Sequence, residues 1–278
     1  MPLLTSRARH FLQPLKPLTL SIGFSFIVPL RFFGSAPDHS KVQCTRRLIR
    51  QPSPAASRES PYPIVFLRMK GVEGLEDETD WVDWSSMFAE KGYTSVEIDI
   101  SSPTEFSKSS ELEEMKEDIS ILKSMVNLLS SEIRLLSIPF PPILIAFGKS
   151  TILAQSFIED NPSSGLILIN PLSDKDERSI ELQNKSNFKF PNFTFEPHFP
   201  ILILSNQQSL RNLSVSNRLI REYGQLPNPN TDEEKKGWFK NRRNKGIEIG
   251  VLDEEGFESG LNENGRIQVE RWMDRQGF

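Results

Sequence analysis

The apolar run Ile143–Phe147 stops at Gly148, Lys149, Ser150 and Thr151, and Ile152, Leu153 and Phe157 then recur at helical spacing. A strand turning directly into a helix aims the helix's free N–H groups and its dipole at the turn, which is where an α/β chain can place chemistry. Ser150 can serve as a nucleophile if a base takes its proton. Lys149, Ser150 and Thr151 can together hold an anion at the helix start. A phosphate-cradling loop needs a glycine five residues before the Gly-Lys pair; that position is Ile143, inside the strand, so the reading fails on geometry. The remaining option is an inert turn.

Bases and metal ligands are sparse. The histidines are His10, His39 and His198, too scattered for a metal site, and the single cysteine, Cys44, excludes a disulfide framework or a cysteine zinc cluster. No cofactor is expected. A net charge of −4 argues against general nucleic-acid binding. The charge is uneven, however: residues 1–50 hold eight Lys or Arg against Asp38 alone, a local balance of +7. An Arg-bearing, nearly acid-free start resembles a mitochondrial transit peptide, and Arg31 shortly before Phe33 resembles a matrix-processing site. The basic cluster at residues 45–50 is an alternative boundary. A secretory signal competes with this, given the apolar run at 18–28 and the sequons at Asn184, Asn192 and Asn212. That run is too short to span a bilayer comfortably and is bracketed by Pro17 and Pro29, so no transmembrane segment is expected.

The elements that must position the turn follow a Pro/Ser stretch at 51–62, which reads as a linker between the leader, 1–50, and a folded body, 63–278. Strands are expected at 63–69, 93–100, 143–147, 165–170, 200–205 and 246–252. Helices are expected around 81–91, 111–131, 151–160, 213–223 and 265–275. Short apolar strands alternating with amphipathic helices imply an α/β fold, a mostly parallel sheet covered on both faces.

Several landmarks then fall in one order: Leu67–Gly74 with its Lys70-Gly71 pair, Phe88–Ile100 ending at Asp99, the helix at 115–129, Phe157–Pro171, His198–Leu210 and Ile247–Phe257. Together they resemble the α/β-hydrolase superfamily across residues 63–278. The resemblance implies an oxyanion loop at Lys70 and Gly71, a nucleophile elbow after Phe147, an acid after the strand at 200–205 and a histidine after the last strand. Aligning Ile152-Leu153-Ala154-Gln155 with the family's apolar continuation puts Gly148 at the nucleophile position. The alternative register makes Ser150 the nucleophile, but it sets the β-branched Ile152 where glycine is needed for close backbone passage.

The other triad positions also depart from the family. The acid position is Ser209, and no Asp or Glu occurs between Phe199 and Arg221; Gln207 and Gln208 could not stabilise an imidazolium as a carboxylate would. The histidine position is Phe257, after Gly256, and no histidine follows His198. Asp253, Glu254 and Glu255 are the carboxylates that could act as a non-standard base with Ser150. The expected function is thus a catalytically silent binding, scaffold or assembly protein of mitochondria, with an unknown protein partner or a small acyl-type ligand. The alternative is an active esterase, thioesterase or acyltransferase using Ser150.

Two segments complete the reading. Residues 173–197 stand where the family inserts a lid, and Phe188, Phe190, Phe193 and Phe195 suit an aromatic flap or a loop pinned to the core. Residues 232–246 form a charged insertion around Trp238 and Phe239, read as a solvated loop.

Overall fold

A computed structural model describes residues 42–72, 74, 75, 78–102, 121–185, 188–224, 246–252 and 261–278. Seven strands form one sheet in the order β1-β3-β2-β4-β5-β6-β7. They are β1 (Gln43–Arg50), β2 (Ile64–Lys70), β3 (Ser95–Ser101), β4 (Ile143–Phe147), β5 (Gly165–Ile169), β6 (Ile201–Asn206) and β7 (Ile247–Leu252). All neighbours pair in parallel except β1, which runs antiparallel to β3. The α/β expectation therefore holds, and the carboxyl ends of β2 to β7 share one edge of the sheet.

Side-chain alternation builds a core on each face. On one face, Leu144, Ala146, Leu166, Leu168, Ile201 and Ile203 meet α2 (Ile121–Leu135), α3 (Thr151–Asp160), α5 (Gln207–Ser216) and α6 (Arg218–Tyr223). On the other, Ile143, Ile145, Ile167, Ile169, Leu202 and Leu204 meet α1 (Val82–Glu90) and α7 (Glu263–Gln276). Helix α2 buries Leu122, Met125, Val126 and Leu129, the stripe that its three-and-four spacing dictates. Helix α7 starts at Asn262, whose side chain accepts the Gly265 N–H at 2.8 Å. It ends at Gly277 in the left-handed conformation. Between β5 and β6 lies the short helix α4 (Ile180–Lys185). The single helix expected at 213–223 is two, because Asn217 breaks it: its carbonyl-bearing side chain caps Ile220 N–H while its Nδ2 donates to Leu172 O.

The sheet and its hydrogen bonds extend into the residues expected as leader and linker. Residues 43–50 are an edge strand, and the basic cluster read as a possible leader boundary supplies counter-ions to the buried Glu97 and to Glu132. Arg46 lies 3.0 Å from Glu97, Arg50 also pairs with Glu97, and Arg47 reaches Glu132 of α2 at 2.8 Å. Glu97 is only 2% exposed, so without these arginines it would be a buried charge lacking its cationic partners. A bulge between Cys44 and Arg46 twists the edge, a common device against edge-to-edge pairing. Residues 51–62 are tied to the body: Ser53 N–H donates to Ala89 O, Ser60 N–H to Gly92 O, and Arg58 to Phe278 O. The Cys44 thiol is pushed up to about 11, chiefly by burial and then by Glu132. It is therefore held as the protonated thiol near neutral pH.

Among the described residues, no helix is long and apolar enough to cross a membrane, and no cluster of His, Cys, Asp and Glu could hold a metal ion.

Candidate functional site

Strand β4 pairs with β2 only as far as Ala146 opposite Leu67. Past that point the two backbones separate, and the Met69 N–H has lost its strand partner on that side. Ser150 supplies the replacement: its Oγ accepts the Met69 N–H at 2.8 Å, and its residue is completely buried. The hydroxyl thus continues the sheet's hydrogen bonding by one step. Thr151 is also completely buried and donates from Oγ1 to Gly148 O at 2.6 Å. Of the three residues considered for an anion site, Ser150 and Thr151 turn inward and only Lys149 keeps partial exposure, so they do not assemble an outward-facing site.

Gly148 occupies the apex, directly after β4, with φ +52°. A Cβ built there meets nothing within 4 Å. The space a nucleophile would need is present, in the left-handed conformation that side chains rarely adopt.

At the end of β2, Lys70 Nζ lies 3.3 Å from Asp99 Oδ2, and Arg68 Nε donates to Asp99 Oδ1 at 2.9 Å. Lys70 is committed to a buried carboxylate at the strand end. Gly71, φ +73°, passes so close to the backbone just after β3 that an added Cβ would fall 2.2 Å from Ser102 O. Glycine is required there by contact as well as by conformation.

Ser209 sits in the first turn of α5, where its N–H donates to Asn206 Oδ1 at 2.6 Å. The helix begins directly after β6, so no loop separates Ser209 from the strand end. Gln207 and Gln208 are the first two residues of that helix. Phe257, with Gly256 and the carboxylates Asp253, Glu254 and Glu255, lies outside the described residues, as does the Trp238-Phe239 insertion. His198 is exposed, its ring edge-on to Phe195 with centroids 5.9 Å apart. It precedes β6, whereas the turn follows β4, and these strands run parallel through β5. The two groups stand at opposite edges of the sheet, about 17–20 Å apart for strands of this length.

The segment in the lid position folds onto the loop after β2. Arg178 Cδ and Leu182 Cδ1 lie 3.4 and 3.7 Å from where a Cβ on Gly74 would be. Arg178 grips Asp176 through Nε at 2.9 Å and Nη2 at 2.6 Å, donates to Phe188 O at 3.1 Å and stacks over the Phe188 ring. The Arg178 hydrogen bonds hold the Asp176 carboxyl below its ordinary range. Asp174 is shifted the other way, upward, because burial outweighs the Arg218 N–H that it accepts. Phe188 is buried in the core, as the pinned-loop reading anticipates.

Sequence reasoning missed two polar positions at this edge. Asn170, directly after β5 at φ +48°, keeps a buried Oδ1 with no hydrogen-bond partner, and so does Ser205 Oγ on β6. An Asn ending an apolar run is a signal for the left-handed conformation, but nothing in the sequence marks the missing partners.

No family model and no curated protein matches the chain. Solved structures do. MenH from S. aureus is 11% identical, with 84% of this chain and 100% of that chain covered and a TM-score of 0.50. The Est2 esterase of the Planctomycetes species Thermogutta terrifontis is 14% identical, covering 87% and 94%, with a TM-score of 0.49. Est1E from Butyrivibrio proteoclasticus is 11% identical, covering 83% and 93%, with a TM-score of 0.47. At such identities likeness extends to the fold alone: the strand order and the MenH match make this an α/β-hydrolase fold.

Proposed function

We propose that this chain, an α/β-hydrolase fold, is catalytically silent and works by binding, as a scaffold or assembly factor. The observation that carries the reading is the turn itself: Gly148 stands at the apex, while the nearby Ser150 hydroxyl is buried against Met69 N–H. The sequence has no histidine after His198, which lies at the other edge of the sheet. Labelling of the purified full chain with a fluorophosphonate probe, beside Ser150→Ala, tests it. The expected result is no labelling of either protein. Stoichiometric labelling that disappears in Ser150→Ala would favour the alternative, an esterase, thioesterase or acyltransferase that uses Ser150 with a non-standard base such as Glu254 or Glu255.

The proposed place of action is the mitochondrial matrix, supported by the basic balance of residues 1–50. A cut near Phe33 would leave β1 whole, whereas a cut after Arg50 would remove it. Import into isolated mitochondria followed by N-terminal sequencing should yield a mature start between residues 34 and 43. Glycan addition at Asn184, Asn192 or Asn212, all exposed, would point to the secretory route instead.

A further inference from the structure

A groove of ≈ 680 Å³ lies between α2, α3 and the stretch 189–193 of the lid-position segment. It is separate from the turn: Lys70, Gly71, Gly148 and Ser209 take no part in its lining. Leu122 and Val126 of α2, with Phe190 and Phe193 of the covering stretch, supply its apolar surface.

The covering wall is anchored from two sides. Glu159 on α3 accepts Thr194 N–H at 2.7 Å, Thr194 Oγ1–H at 3.0 Å and Phe195 N–H at 2.8 Å. Arg218 Nη1 donates to Phe193 O at 3.3 Å and Phe195 O at 2.9 Å. A wall held through both its amides and its carbonyls is preorganised, so little ordering cost falls on an occupant.

The opposite wall carries charge. Lys123, Asn127 and Arg134 share one face of α2 at helical spacing, and all three are exposed. Neither Lys123 nor Arg134 has an ion-pair partner among the described residues. Their Cα atoms are about 16 Å apart along the helix. Of the two acids at the groove, Glu159 is engaged by the covering wall, and Asp160 lies exposed at the end of α3.

We propose that this groove binds a short, extended, acidic peptide of a partner protein, an inference that deepens the binding role above and rests on it. An extended chain advances about 3.3 Å per residue and alternates its faces, so carboxylates four residues apart lie on one side, about 13 Å from each other, and reach both cations with their side chains. Apolar residues between them lie on Leu122, Val126, Phe190 and Phe193. The amides of Asn127 and Asn192 are placed to pair with the peptide backbone.

Fluorescence anisotropy of the full chain tests this. The probe is a fluorescein-labelled pool of seven-residue peptides carrying Glu or Asp four apart with apolar residues between. A matching pool with Lys in place of the acids is the control. The acidic pool should bind more tightly than the Lys pool and weaken as salt rises. The double variant K123E/R134E should lose at least tenfold in affinity for the acidic pool, and K123Q/R134Q should fall between it and the natural chain. Thermal melts of both variants check that these exposed changes leave the fold intact. Absent binding, equal binding of the two pools, or binding untouched by charge reversal would overturn the proposal, as would competitive displacement by decanoate, which marks a small anionic amphiphile as the occupant. The two readings fail separately: fluorophosphonate labelling would overturn catalytic silence with peptide binding intact, whereas absent peptide binding without labelling removes only the groove.

Discussion

Replacing Ser150 by alanine separates a structural hydroxyl from a catalytic one. The Met69 N–H that Ser150 Oγ accepts lies in a strand whose residue is completely buried, beyond the last pair that β2 makes with β4. Alanine leaves that N–H without its acceptor in a place water does not reach. A buried backbone donor left unsatisfied costs about 1–3 kcal/mol. For a domain of this size each kcal/mol lowers Tm by about 2–4 °C, so the variant should melt about 2–12 °C lower. Urea unfolding followed by tryptophan fluorescence reads this directly, because Trp81, Trp84 and Trp272 are buried in the core against α1 and α7. The unfolding slope should stay constant while the midpoint falls, and hydrogen exchange at the Met69 amide should quicken. A nucleophilic serine behaves differently, since it must face the substrate and its loss leaves the sheet intact. A stability change under about 0.5 kcal/mol with Met69 protection unaltered would refute the argument.

Three further outcomes follow from the same contacts. Gly148→Ser has room for its side chain but must hold φ +52°, so it should fold with a loss of about 1–2 kcal/mol and gain no esterase activity against p-nitrophenyl butyrate. Measurable turnover would mean that a base stands within reach. A chain starting at Gln51 leaves Glu97 buried without Arg46 and Arg50 and bares the edge of β3, so it should lose about 3–5 kcal/mol and aggregate on concentration, whereas one starting at Val42 should match the full chain in a melt. The Asp176 carboxyl titrates lower in the folded chain than in the unfolded one, where its value is about 3.9. Between those values the unfolded chain binds more protons, so the stability from the Arg178 clamp is present above about pH 4 and is lost as pH falls through the lower folded value. Asp176→Asn should thus be less stable than the natural chain at pH 6 in urea unfolding, with the gap closing toward pH 3.

How legible each element is in the sequence depends on how locally it is specified. The runs at Ile143–Phe147 and Gly165–Ile169 are buried on both faces, and their continuous apolar character announces them wherever they occur. Helix α2 is equally legible, because its buried stripe repeats within its own sequence. Strand β1 is not, since half of its character is the partner's: Arg46 and Arg50 look like leader charges until Glu97 of β3 lies beside them. The same holds on β3, where Val96, Ile98 and Ile100 mark one buried face while Glu97 and Asp99 suggest a solvated one, although both carboxylates are buried under arginines from other strands.

At the turn, the residue types were plain from the sequence: a glycine after the apolar run, a serine two further on, and no histidine beyond His198. Those identities limit the available chemistry because a missing imidazole cannot be restored by folding. Tertiary structure alone decided where the Ser150 hydroxyl points, since its acceptor role depends on an amide 81 positions earlier that chain order does not bring near. It also decided that the lid-position segment would lie across α2 and α3 and make a groove there, through Glu159 and Arg218, whose partners are 35 and 25 residues distant. Composition and periodicity act between near neighbours, whereas a buried hydrogen bond or ion pair is defined by two groups that meet only after the sheet has formed.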